Sequence, residues 1–184
     1  IFGGGSGPQP GPGGVMPGSG PSARGGLIVS QMDSKEGVWY GPRLEGHPIG
    51  LDVADLDGDG KQEVILGFKT RVVVARVASG QFEPLADYAL GQSGNALSLD
   101  AIDLNGDGRA EICLSVVQLD SVSSQVLELR NVQLVAVIQQ APFFLRKVQM
   151  PGEGAVLLGQ ELNPDLTNQS QDLAGPIFRV NRSG

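Results

Sequence analysis

The chain repeats itself. Residues 51–66 read LDVADLDGDGKQEVIL and residues 99–114 read LDAIDLNGDGRAEICL, an offset of 48 with nine of sixteen columns identical. The shared columns are Leu51/Leu99, Asp52/Asp100, Asp55/Asp103, Leu56/Leu104, Gly58/Gly106, Asp59/Asp107, Gly60/Gly108, Glu63/Glu111 and Leu66/Leu114. A unit this short cannot bury its own apolar face and must stack on its neighbours, so the repeat constrains the fold before any local propensity does. Downstream, Val156-Leu157-Leu158-Gly159 echoes Val64-Ile65-Leu66-Gly67, at an offset of 44 from the second copy. Met150-Pro151-Gly152-Glu153-Gly154 stands there in place of the acidic loop. A third unit that has lost its loop is expected.

Between the loops run short segments rich in Val, Ile and Leu, bounded by Gly, Asp, Ser or Pro. They fall at 27–29, 38–40, 50–54, 63–67 and 71–77, and residues 124–138 read as two strands around Arg130-Asn131. No sustained helical period with caps interrupts them, so an all-β architecture is expected. About four strands in a 48-residue unit is the size of a propeller blade, a four-stranded antiparallel sheet. Blade one then covers about 50–90 and blade two about 95–138. Blade three begins near Phe143, with Ile177–Val180 as a later strand. Residues 27–184 hold roughly 3.3 units, whereas closed propellers need about four to eight. The propeller is therefore expected to be partial, completed between chains, or an open stack.

Residues 1–26 are a different material, with 11 Gly and 5 Pro. Such a run reads as a flexible linker unless a surface holds it, and the expectation here is a docked, extended or polyproline II strand on a neighbouring surface. The absence of an initiator Met before Ile1 is expected of a processed chain or an excised piece. Net charge is −7, and no Lys/Arg cluster offers a nucleic-acid footprint. One cysteine excludes an intrachain disulfide, and no apolar run approaches the roughly 18 residues of a membrane span.

The acidity is concentrated. Asp55, Asp57, Asp59 and Glu63, with Asp103, Asp107 and Glu111, make seven carboxylates, and the rest of the chain sums to zero. The spacing Asp55-x-Asp57-x-Asp59-Gly60-x-x-Glu63 meets what calcium requires, which is six to eight oxygens at about 2.3–2.6 Å. Carboxylates at alternate positions converge when the chain curls, Gly60 permits the turn, the Lys61 carbonyl adds an oxygen, and Glu63 closes the shell. The second loop offers Asp103, Asn105, Asp107, the Arg109 carbonyl and Glu111. Asn105 keeps an oxygen but loses a charge, so weaker binding is expected there. An EF-hand needs its bidentate acid at position 12, where this chain has Leu66 and Leu114, and it needs helical flanks. Two calcium ions would reduce the charge of −7 to −3.

These loops and their flanking strands resemble the FG-GAP/VCBS repeats of calcium-binding β-propellers, the repeat class of integrin α-subunit heads. The matching motif is D-x-[DN]-x-D-G-x-x-[DE], carried by residues 55–63 and 103–111. The resemblance covers two blades well and a third loosely. It implies a propeller with structural calcium, in a periplasmic, surface or secreted protein. The expected function is a non-enzymatic module for extracellular interaction, adhesion or self-assembly, with a protein partner or further copies of the chain joined through residues 1–26. The alternative is a propeller fragment of an extracytoplasmic hydrolase or lyase.

No residue is singled out as catalytic. His47, the only histidine, stands before Pro48 without a nucleophile partner. Cys113 lies within a strand and is expected as a buried small hydrophobe. Asp52 and Asp100 either orient the loops or sit on a strand face. Trp39, Phe143 and Phe144 are expected to pack in the core or between blades. Asn168 and Asn181 each begin a glycosylation triplet.

Overall fold

In a computed structural model, residues 27–28 (backbone only), 41–91, 94–119, 121–161 and 175–181 are described. The expectations for residues 1–26, the strand at 38–40, Trp39 and Asn168 lie outside these residues. The described elements are all strands, in chain order. A two-stranded ribbon pairs β1 (Leu27–Ile28) with β2 (Arg43–Leu44). Blade one is the antiparallel meander of β3 (Pro48–Ala54), β4 (Glu63–Phe68), β5 (Arg71–Ala78) and β6 (Gln81–Ala89). Blade two runs through β7 (Gly94–Ile102), β8 (Glu111–Gln118), the short β9 (Ser121–Val122), β10 (Ser124–Arg130) and β11 (Gln133–Ala141). Blade three pairs β12 (Phe143–Met150), β13 (Gly154–Glu161) and β14 (Ile177–Val180).

The repeat is therefore one sheet per unit, and the shortened third loop is real. In blade one Ala54 pairs with Glu63, and in blade two Ile102 pairs with Glu111 across the corresponding loop. In blade three Met150 pairs with Gly154 around a three-residue turn. The turn expected at Arg130-Asn131 falls one residue on, at Asn131-Val132, between the paired Arg130 and Gln133. Strand β6 carries no clean alternation and contains Pro84. It is the edge strand of blade one, where a missing N–H is tolerated.

The core lies between sheets. One cluster joins Ile65, Val72 and Val74 of blade one to Leu99, Ile112, Leu114 and Leu127 of blade two. A second joins Cys113 and Val126 of blade two to Leu145 and Leu157 of blade three. Strand β8 thus has a neighbour on both faces, which is why Ile112, Cys113 and Leu114 are all buried despite opposite orientations. Phe143 packs edge-on against Phe178, with centroids 5.0 Å apart, and joins the second cluster.

Successive blades also meet through backbone. Leu99 lies against the Gly50 and Gly67 backbone, and a Cβ on Gly67 would come within 3.0 Å of the Leu99 Cδ1 atom. In the next interface Ser115 stands at the Gly67 position, and its Oγ accepts from Leu145 N (2.8 Å) and donates to Leu145 O (2.9 Å). Asp52 and Asp100 serve these interfaces and not the loops. Asp52 accepts from Ala101 N of blade two (2.8 Å), and Asp100 accepts from Lys147 N of blade three (3.1 Å).

A candidate metal centre in two matched loops

Each acidic loop connects the first two strands of its blade, β3 to β4 and β7 to β8. Their backbone N–H to side-chain bonds match one for one. Asp55 accepts from Gly58 N (2.7 Å) and Gly60 N (2.8 Å), while Asp103 accepts from Gly106 N (2.7 Å) and Gly108 N (2.9 Å). Asp57 and Asn105 each accept from the residue two ahead, as do Asp59 and Asp107. Glu63 and Glu111 reach back to accept from Leu56 N (3.0 Å) and Leu104 N (2.8 Å). This curl needs left-handed backbone twice per loop, at Gly58 and Gly60 (φ 79° and 81°) and at Gly106 and Gly108 (77° and 85°). Only the second glycine of each pair was expected from the spacing. Leu56 and Leu104 anchor the loops, Leu56 in the first interblade core and Leu104 packed against the second.

The electrostatics follow from the curl. Burial alone would raise the Asp55 carboxyl, but the N–H groups of Gly60, Gly58, Asp57 and Asp59 outweigh it and hold its pKa below the ordinary value. Glu63 and Glu111 are almost wholly buried at the mouth of their strands. Oxygens of Asp55, Asp57 and Glu63 lie within 4.8 Å of one another, close enough to hold one metal ion. Among the described residues Asp103, Asp107 and Glu111 form no second acid cluster of that kind, because Asn105 replaces the acid at the central position. The Lys61 and Arg109 carbonyls sit on the same loops, and Asp59 and Asp107 are tied to their backbone N–H groups. The donor set is hard oxygen throughout, which fits calcium and not a soft or borderline ion.

One residue that the spacing did not point to enters the first loop from β5. Arg76 donates Nε to Glu63 Oε1 (3.0 Å) and Nη2 to Asp57 Oδ2 (2.5 Å) and Asp59 Oδ2 (3.1 Å). Strand register places it there: Ala75 pairs with Val64, so Arg76 stands across from Glu63. The two loops are also joined, since Ala110 N donates to Asp55 O (2.8 Å). Of the remaining singled-out residues, His47 contributes its carbonyl to Lys69 N, and Cys113 is buried with its thiol pKa pushed up by burial.

Successive antiparallel sheets packed face to face, two of them bearing the same curled acidic loop on the first hairpin, define a propeller-like repeat protein. Residues 55–114 match the family model described as FG-GAP-like repeat, so the chain carries an FG-GAP-like repeat over the first loop, the rest of blade one and the start of blade two. No curated protein matches the chain. Among the described residues no helix is long and apolar enough to cross a membrane.

Proposed function

We propose that this chain is a calcium-braced propeller module, non-enzymatic, that acts outside the cytoplasm in protein interaction by self-assembly. The observation that carries the calcium reading is that the backbone N–H to side-chain bonds of the two loops match one for one. Backbone N–H groups hold the alternate side chains at positions 1, 3 and 5, and a buried glutamate closes each curl. Asp55, Asp57, Asp59, Glu63 and the Lys61 carbonyl would hold one ion. Asp103, Asn105, Asp107, Glu111 and the Arg109 carbonyl would hold the other. Bound calcium would neutralise carboxylates that otherwise repel, at the hairpins that set the first two strands of each blade. Loops of modest affinity suit extracellular calcium, for which dissociation constants of about 10⁻⁴–10⁻³ M suffice. The extracellular habit of FG-GAP repeats supports the same placement.

Linkage sets the test. An ion present at about a hundred times its dissociation constant stabilises the fold by about 2.7 kcal/mol per site, or roughly 5–10 °C in melting temperature. Melting in excess calcium is expected to exceed melting in excess chelator by that margin for each loop filled. Identical melting curves would overturn the reading.

The interaction reading rests on a different surface. A groove of about 480 Å³ runs along blade one, lined by Pro42, Leu44, Leu51, Val53, Val77 and Phe82 among others. Its blade-side residues occupy the columns that blade two uses to pack on blade one, so we assign a blade of a second copy as its occupant.

A further inference from the structure

We propose that Arg76 is a resident counter-ion of the first loop, one that a metal ion must displace. This inference rests on the calcium reading above. The guanidinium touches three of the four carboxylates proposed as ligands: Asp57, Asp59 and the wholly buried Glu63. A fork of five donors on a rigid plane suits this arrangement, since it serves several carboxylates at once where an ammonium would serve one. Its attraction to Glu63, Asp59 and Asp57 holds the Arg76 pKa up.

The second blade has a different residue in this column. Leu127 pairs with Ile112 as Ala75 pairs with Val64, so the residue across from Glu111 is Glu128. The column that brings a cation to the first loop brings an acid to the second. Arg130, two residues further along β10, engages Glu128 (Nε to Oε2, 2.7 Å). The fourth carboxylate of the first loop would by itself make it the tighter site, and Arg76 cancels that advantage by supplying a positive charge of its own. The first loop therefore keeps its curl without metal and yields to calcium only when the arginine swings out. A 30% exposed Arg76 side chain with solvent on one side has room to do so.

Calorimetric titration of the full chain with calcium chloride tests this. An Asp107→Ala background removes a ligand oxygen from the second loop, so the heat reports the first. Arg76→Gln is expected to tighten calcium binding there by roughly tenfold, while lowering the melting temperature in chelator. Arg76→Lys, which keeps the charge but loses the fork, should fall between the two and provides the answer if Arg76→Gln does not fold. Affinity at the first loop that is unchanged or weaker in both variants would overturn the proposal. Heat in the Arg76→Gln chain that disappears entirely once the Asp107 substitution is added would mean binding at the second loop alone and would also overturn it, leaving the calcium reading intact. No heat at either loop would instead sink the calcium reading itself.

Discussion

Asp52 and Asp100 occupy the same column of the repeat, accept the same kind of interblade backbone bond, and are pulled in opposite directions. For Asp52 burial would raise the pKa, but the Lys147 ammonium and the Ala101 and Val53 N–H groups prevail and hold it below the ordinary 3.8. Lys147 reaches it from blade three past the Ala101 carbonyl, so one side chain ties three blades together. For Asp100 burial prevails over the Lys147 N–H and the Arg146 and Lys147 charges, and its pKa is raised. The sign of each stability contribution follows. A depressed native value means that Asp52 stabilises the fold above its unfolded pKa and loses that contribution as pH falls through the native one. A raised native value means that charged Asp100 costs stability at neutral pH, and the cost disappears as pH falls through the raised value. Asp52→Asn is expected to destabilise by about 1–2 kcal/mol at pH 7, with the deficit closing in acid. Asp100→Asn, which keeps an acceptor for Lys147 N, should lose nothing at pH 7 and gain up to about 1 kcal/mol. Urea unfolding of both variants from pH 7 to pH 3 checks the pair. Equal losses at pH 7 would refute the assignment.

At the scale of the strand and turn, local chemistry explains most of what formed. The loops were legible because the ligand pattern and its glycines are consecutive in the chain, and their curl is made by bonds spanning two to seven residues. The hairpin from β10 to β11 breaks a local rule. Its two turn residues, Asn131 and Val132, have φ of 49° and 62°, the left-handed pair that Asn-Gly satisfies best. A β-branched Val132 is strained there, and its 59% exposure means that little packing compensates. Val132→Gly should raise stability by about 1 kcal/mol, read as a higher urea midpoint with unchanged slope. A lower midpoint would show that the valine contributes packing after all. Arg76 illustrates the opposite case, a residue 13 positions from its glutamate that only strand register brings to the loop. No local pattern marks it.

Across the whole molecule, identical residues meet different fates according to what stacks on them. Leu99 packs on blade one and is 5% exposed, whereas Leu51 in the same column of blade one is 65% exposed. Val53 and Val77 on blade one are exposed as well. Blades two and three each bury this face on the blade before them. A second copy seated on blade one would extend the same interface. Sedimentation velocity across a concentration series should show the chain associating and Leu51→Glu remaining monomeric. The melting temperature of that variant should barely move, since exposed substitutions typically cost within about 0.5 kcal/mol. A chain that stays monomeric at every concentration would overturn self-assembly through this face.

What the sequence determined alone was the unit: its length, its strands, its acidic loop, and the third copy's lack of one. Those features are periodic or contiguous, and each is set by bonds within a hairpin. Tertiary structure decided how units meet, and therefore which face of each is covered, which aspartate is depressed or raised, and that Arg76 comes against the first loop. Those outcomes depend on register and on neighbours some 50 to 100 residues away (Asp52 with Ala101, Lys147 with Asp52). Two stretches sharing one pattern could not foretell them, because the difference lies in what surrounds each copy.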